Sequence, residues 1–262
     1  MATGEKFLIM GKIRVSIVSY LNSKPFLFGL QSSIIADQIE LTTDIPSKVA
    51  SKLTLGQSDI GLIPVGALND LQTYNIIGDY CIGAYGNVRT VVLISDVPLN
   101  EVKTILLDHE SRTSVLLARI LARFYWKKKF EFRPAFPGYE INSVSGTTAG
   151  VVIGDRVFKV EKRYKYTLDL SEEWVRYTGL PFVFAVWAAN KNVSEQFRDN
   201  FNRALEYGIK NISEIVAAEK NNYPEVDIRD YYLTNLSFAL DDPKKEGMKR
   251  FVELAELLNS DK

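Results

Sequence analysis

The sequence predicts an α/β fold, on three observations. Short apolar runs of strand length alternate with stretches whose apolar residues recur at helical spacing. Gly, Pro, Ser and Asn stand at the joins between them. Of the 262 residues 46% are hydrophobic, which is material for one large domain or two lobes of ordinary size.

Residues 13–18 read as a buried strand that ends in Ser19, Tyr20 and Asn22. Pro25 follows three residues later, which suits the first turn of a new helix with Asn22 or Ser23 as its cap. Capping alone explains this pattern as well as a ligand-facing role does. Pro46 opens the next helix, Val49 and Leu53 share a face, and Gly56 falls just past the end. Residues 60–65 form a strand running into the core, residues 74–85 are extended, and 90–95 and 104–108 are short strands. From Ser111 a helix places Val115, Leu116, Ile120, Leu121 and Phe124 on one face. Residues 151–154 read as a strand, 171–177 as a short helix, and 180–189 as a buried strand or crossover. Beyond it the chain reads as helical almost to its end. Phe197, Phe201, Leu205 and Ile209 form one stripe; Met248, Phe251, Val252, Ala255 and Leu258 form another, behind Asp242 as cap and Pro243 at the first helical position.

The extended stretches "NVRTVVLIS" and "FVFAVWAA" serve as connections between lobes if the middle of the chain forms its own unit. The expected division is then 1–89 with 186–262 in one lobe and 90–185 in the other. The middle lobe carries 14 Lys or Arg against 11 Asp or Glu, a net +3, and is the better host for an anion. Lys127, Lys128 and Lys129 read as a solvated helix end.

Composition narrows the function classes. The whole chain has 32 basic and 32 acidic residues, so nothing global favours a nucleic acid or an anionic membrane over a small solute. Cys81 is the only cysteine, which excludes an internal disulfide and a zinc site built on thiolates. The apolar run at residues 7–10 is shorter than the roughly 7 to 15 residues of a secretory segment. The ten apolar residues at 180–189 are half of the roughly 20 that a spanning helix needs. A cytoplasmic protein without a membrane span is expected.

"LLDHESRTS" is the most informative stretch for chemistry. A strand ending at Asp108 turns into a helix beginning near Ser111, so free amides and the hydroxyls of Ser111, Thr113 and Ser114 gather at the positive end of a helix dipole, a site suited to an anion. Plain N-capping accounts for one hydroxyl but hardly for three. Arg112 could fork onto a carboxylate or brace Asp108 or Glu110. "GNVRT" offers Asn87, Arg89 and Thr90 near the first proposed connection, with Arg89 read as a surface residue. "SGTTAGVVIGD" leads to Gly154 and Asp155 without the Lys of a phosphate loop, so a nucleotide reading fails. His109, the lone histidine, reads as structural. HExxH, GxGxxG opening a helix, CxxC and GxSxG are all missing from the sequence.

The ordered blocks "VSYLNSKPF", "LGQSDIGLIPV", "LLDHESRTS", "VVIGD" and "EEWVRYTGLPFVFAVWAA", across residues 12–190, resemble the chorismate dehydratases of the futalosine route to menaquinone. The resemblance implies a two-lobed fold similar to type II periplasmic binding proteins, with the ligand in a cleft between the lobes. It also implies loss of water from chorismate to give 3-[(1-carboxyvinyl)oxy]benzoate, with no metal and no organic cofactor. Asn22 matches the functional asparagine of the SYLN block. Thr90 falls where relatives commonly carry a serine, the hydroxyl kept and a methyl added. Ser111, Arg112, Thr113 and Ser114 match the block that holds a substrate carboxylate. A second carboxylate is expected at the amides around Ser19 to Asn22, with Tyr20 and Ser23 beside them, and Gly154 and Asp155 complete the expected substrate contacts. Trp174, Tyr177 and Phe182 are candidates to wall the ring or to form plain core. The expected partner is the dianionic small molecule alone, with a homodimer left open. Competing readings are a non-catalytic solute-binding protein, the related naphthoate-forming lyase, which is expected to show a histidine in the cleft, and a sensor lobe, for which no DNA-binding segment is spare.

Overall fold

The computed structural model describes residues 11–71 and 73–260; the apolar run at residues 7–10 lies outside them. In chain order its strands are β1 (Ile13–Val18), β2 (Ile39–Asp44), β3 (Ile60–Pro64), β4 (Asn75–Ala84), β5 (Val91–Ser95), β6 (Thr104–Leu107), β7 (Glu131–Pro134), β8 (Thr148–Ile153), β9 (Tyr166–Asp169), β10 (Phe182–Ala189) and β11 (Ser237–Ala239). The helices are α1 (Lys24–Gln31), α2 (Pro46–Thr54), α3 (Arg112–Ile120), α4 (Tyr139–Asn142), α5 (Arg156–Val160), α6 (Leu170–Thr178), α7 (Glu195–Lys210), α8 (Ile212–Glu219), α9 (Ile228–Asp230) and α10 (Asp242–Ser260).

Two sheets make two lobes. The first has the order β11-β4-β10-β3-β1-β2, and the second β7-β6-β8-β5-β9. In the first, β1 runs parallel to β2 and β3, while β10 is antiparallel to both β3 and β4. Every residue of β3 and of β10 is buried, as strands covered by helices on both faces must be. The chain leaves the first sheet after Ala84 and re-enters it at Phe182, and these two residues are register partners, so the two connections to the second lobe are neighbours. β10 belongs wholly to the first sheet, including residues 182–185.

The first core is aromatic. Trp187 of β10 meets Phe26 of α1 and Phe201 of α7 edge-on, with ring centroids 5.8 and 5.0 Å apart. Helices α1 and α7 touch backbone to backbone: a Cβ on Gly29 would run into the Ala204 carbonyl, and one on Gly208 into the Pro25 carbonyl. That contact fixes α1, and with it the turn that precedes it.

Several expectations need correcting. The buried face of α3 is Thr113, Ser114, Leu117, Ala118 and Ile120, continued by Leu121 in a π-helical turn, while Val115, Leu116 and Phe124 are only partly covered. The cap of α10 is Asp241, whose Oδ1 accepts from the Lys244 amide at 3.1 Å. The C-terminal third is not helical throughout, since β11 adds an edge strand against β4. Trp174 and Phe182 are fully buried and packed on Phe251, so they are core and not ring walls. Among the described residues no helix is long and apolar enough to cross a membrane.

Candidate functional site

The strands of both lobes point their ends at one space. On the first lobe, β1 delivers Val18, Tyr20 and Asn22, the β2–α2 join delivers Pro46, and β3 delivers Leu62 and Pro64. On the second, β5 contributes Thr90 and Val91, the β6–α3 turn Ser111, Thr113 and Ser114, and β8 Ile153 and Gly154. Phe184 and Ala185 of β10 close the back. The cavity is narrow, about 60 Å³ in volume, and opens to solvent. Open α/β sheets place ligands at such carboxyl ends of strands.

Of the residues singled out in the sequence, Tyr20, Asn22, Thr90, Ser111, Thr113, Ser114 and Gly154 line this cavity, and Ser19, Ser23, Arg112 and Asp155 do not. Each departure has a physical reason. The Arg112 guanidinium turns outward to pair with Asp70, so it does not fork onto a ligand carboxylate and does not brace Asp108 or Glu110. Ser23 is buried and donates from Oγ to the Val18 and Tyr20 carbonyls at 2.6 and 2.8 Å. The Ser19 amide donates to the Asp44 carbonyl at 3.0 Å, and the Leu21 amide to both Asp155 oxygens at 3.1 Å, so two of the four amides of residues 19–22 are already spent. His109 sits 3.6 Å from Glu110 and outside the lining. Arg89 takes a left-handed φ of 66°, paired with Glu161 at 2.8 Å and anchored by its amide on Asp169.

Within the cavity the donors sort by how occupied they are. The Asn22 carboxamide makes no hydrogen bond to protein among the described residues. Ser111 caps α3, accepting from the Ser114 amide at 3.1 Å while its hydroxyl donates to Ser114 Oγ at 2.9 Å. The Ser114 hydroxyl gives its own proton to no protein group among the described residues, which makes it the ready donor of the three. Thr113 instead braces the lobes: its Oγ1 accepts from the Gly66 amide at 3.0 Å and donates to the Phe184 carbonyl at 3.2 Å. Thr90 Oγ1 lies 3.0 Å from the hydroxyl of Tyr231, a fully buried ring from the far end of the chain. Burial pushes the Tyr231 phenol well above its ordinary value, so it stays neutral.

Among the described residues no charged side chain lines the space. Helix N-termini do: α2 begins at Pro46 and α3 at Ser111, and neither has an acidic residue in its first turn. Their dipoles favour an anion there. Behind the wall lies a charged cluster. Arg156 donates to Asp108 at 2.5 Å and to Glu110 at 3.4 Å, and lies 3.6 Å from Glu140. Burial works against the Arg156 charge, but Asp108 and Glu110 outweigh it and hold its pKa above the ordinary value. Tyr20 joins this cluster across the lobes by donating to Glu110, and burial, then that bond, pushes its phenol far up. Gly154 is required beside it, with φ 65° and the Tyr20 ring 3.0 Å from where a Cβ would stand. Among the described residues no group of three or more His, Cys, Asp or Glu is placed to hold a metal ion.

Sequence reading missed Pro46, Phe184, Tyr231 and the Asp155 to Leu21 bond. Only Pro46 had a local signal, a proline at a strand-to-helix join of the same kind as that after β1.

Comparison with known proteins agrees with this geometry. The family model described as "Menaquinone biosynthesis" matches residues 13–257. A chorismate dehydratase from Thermus thermophilus is 25% identical over 235 residues, covering 80% of this chain and 84% of that protein. Among solved structures, protein AF1704 from Archaeoglobus fulgidus superposes with a TM-score of 0.73 at 17% identity, covering 95% of this chain and 98% of that one. A Candida albicans gene product with the generic periplasmic binding protein fold gives 0.66 at 16%, covering 95% and 91%. The alkanesulfonate-binding protein of Xanthomonas axonopodis, bound to MOPS, gives 0.60 at 11%, covering 95% and 93%. The two lobes are thus those of a periplasmic-binding-protein-like fold.

Proposed function

The chain belongs to the menaquinone biosynthesis family, and from that premise we propose that it is a chorismate dehydratase, a carbon–oxygen lyase that removes water from chorismate to form 3-[(1-carboxyvinyl)oxy]benzoate. The observation that carries this reading is that Asn22 and the Ser111 to Ser114 hydroxyls, 89 or more residues apart in sequence, line one uncharged cavity. The likeness to the Thermus thermophilus dehydratase supports it. We read the lobe boundary as lying in the two connections, with the second-sheet lobe supplying Thr90, Ser111, Ser114 and Gly154 to the substrate.

The elimination breaks the C3–H and C4–O bonds; the released electron pair completes an aromatic ring, and proton and hydroxide leave together as water. Aromatisation supplies the driving force, so the protein needs to orient the substrate, carry a proton and support charge. No lining residue is an evident base at neutral pH. The substrate's own enolpyruvyl carboxylate takes the C3 proton in this reading. Hydroxyls and helix ends lower a bound carboxylate's basicity, but less than a guanidinium or ammonium would, and partial desolvation works the other way and raises it. Asn22 and Thr90 fix the reacting conformer and assist the departing hydroxide, Ser114 donates to a carboxylate, and Tyr20 and Gly154 wall the ring.

Purified protein is mixed with chorismate, with no cofactor added, and followed by mass spectrometry and proton NMR. Loss of one water with new aromatic signals is the expected result. Binding without conversion overturns the enzyme reading in favour of a solute-binding protein.

A further inference from the structure

Asn22 is the cavity residue with the least to hold it: its carboxamide has no protein partner among the described residues, so its direction depends on its main chain. The residue before it, Leu21, is gripped through both its carbonyl and its amide. The Leu21 carbonyl accepts from the Tyr232 hydroxyl at 2.8 Å, and the Leu21 amide donates to Asp155 Oδ1 and Oδ2, each at 3.1 Å. Asp155 comes from the other lobe, directly after Gly154 with its left-handed φ, and its Oδ2 also accepts from the Tyr223 hydroxyl at 2.6 Å. An aspartate at the start of a helix ordinarily caps that helix. Asp155 precedes α5 and makes no such cap bond, so its carboxylate is wholly committed to residues of the first lobe. It does not line the cavity.

We propose that Asp155 is a positioning residue for Asn22: it reaches across the cleft to hold the Leu21 amide, and so fixes the backbone that leads into Asn22 only when the lobes are together. This rests on the dehydratase reading and deepens it. Asp155 touches no substrate atom, so it is not a catalytic residue. It makes the placement of Asn22 conditional on closure, so the donor is set when water has been excluded.

Asp155→Ala removes the anchor without uncapping α5. With chorismate, kcat is expected to fall by about 100-fold while KM stays within about threefold, the signature of a misplaced group. Asp155→Asn, which can still accept from Leu21, recovers most of the rate. Asp155→Ala added to Asn22→Ala costs no further rate, because the residue it places is already gone. A third readout does not depend on chorismate: hydrogen–deuterium exchange of the peptide spanning residues 19–26 is expected to speed up in Asp155→Ala with the rest of the first lobe unchanged. Rates of the two substitutions that multiply, a kcat within threefold of wild type, or unchanged exchange at 19–26 overturns the proposal. If wild-type protein leaves chorismate intact, the dehydratase reading fails, and the exchange measurement still decides whether Asp155 holds this segment.

Discussion

At the scale of single residues, the cavity is a set of neutral donors of unequal freedom. Among the described residues the Asn22 carboxamide is free and Ser114 has a proton to give, whereas Thr113 is committed to bracing and Thr90 shares its hydroxyl with Tyr231. Asn22→Ala is therefore expected to lower kcat by about 10² to 10³-fold with a much smaller change in KM, measured by steady-state turnover of chorismate. An undiminished kcat removes Asn22 from the reaction. The polar end of β1 was legible as Ser19, Tyr20 and Asn22 directly after an apolar run, although capping explained them as well as a ligand did. Its partners were not. Asp155 lies 134 residues from Leu21 and Tyr231 lies 141 from Thr90, and no local pattern marks which distant side chain will satisfy a given donor. Arg112 was misplaced for the opposite reason: its neighbours in sequence suggested a cluster, but one step along α3 rotates it to the outer face, where Asp70 waits.

At the scale of elements, legibility followed burial. β3 and β10 are buried at every position and stand out as unbroken apolar runs. β2 was invisible: "IELTTD" has one fully buried residue because it sits at the sheet edge, where one side faces solvent. β11, at the other edge, has three residues and was absorbed into a helical reading. The first sheet is further tied at one end by Asp59, just before β3. It accepts from the Arg14 amide of β1 at 2.9 Å and from the Arg14 guanidinium, and lies 3.1 Å from Lys191 after β10. Burial alone would raise the Asp59 carboxyl, but Arg14 and Lys191 outweigh it and hold it at about 2, against 3.8 for the free group. A carboxyl depressed by folding contributes stability above its unfolded pKa and loses it as pH falls through the folded one. Denaturant unfolding should therefore show stability declining between about pH 4 and pH 2, and Asp59→Asn should flatten that decline; an unchanged slope refutes the assignment.

At the scale of the whole molecule, the two lobes are tied to each other at several points. Tyr20 on Glu110, Leu21 on Asp155, Gly66 on Thr113 and Arg112 on Asp70 all join the two lobes around the cavity. Tyr20→Phe keeps the ring against Gly154 and deletes one of these ties. We expect KM for chorismate to rise by about tenfold, the worth of one partly buried hydrogen bond, with small-angle scattering of the unliganded variant showing a larger radius of gyration. Unchanged KM and radius would remove this tie from closure. The pairing of Ala84 with Phe182 puts both connections side by side, and Arg89, with its left-handed φ, stands in the first of them on the carboxylate of Asp169. Any swing of the two halves must turn on this pair of neighbouring strands, beside which Arg89 is pinned. Loosening this residue would change the pivot without altering a single atom that the guest touches.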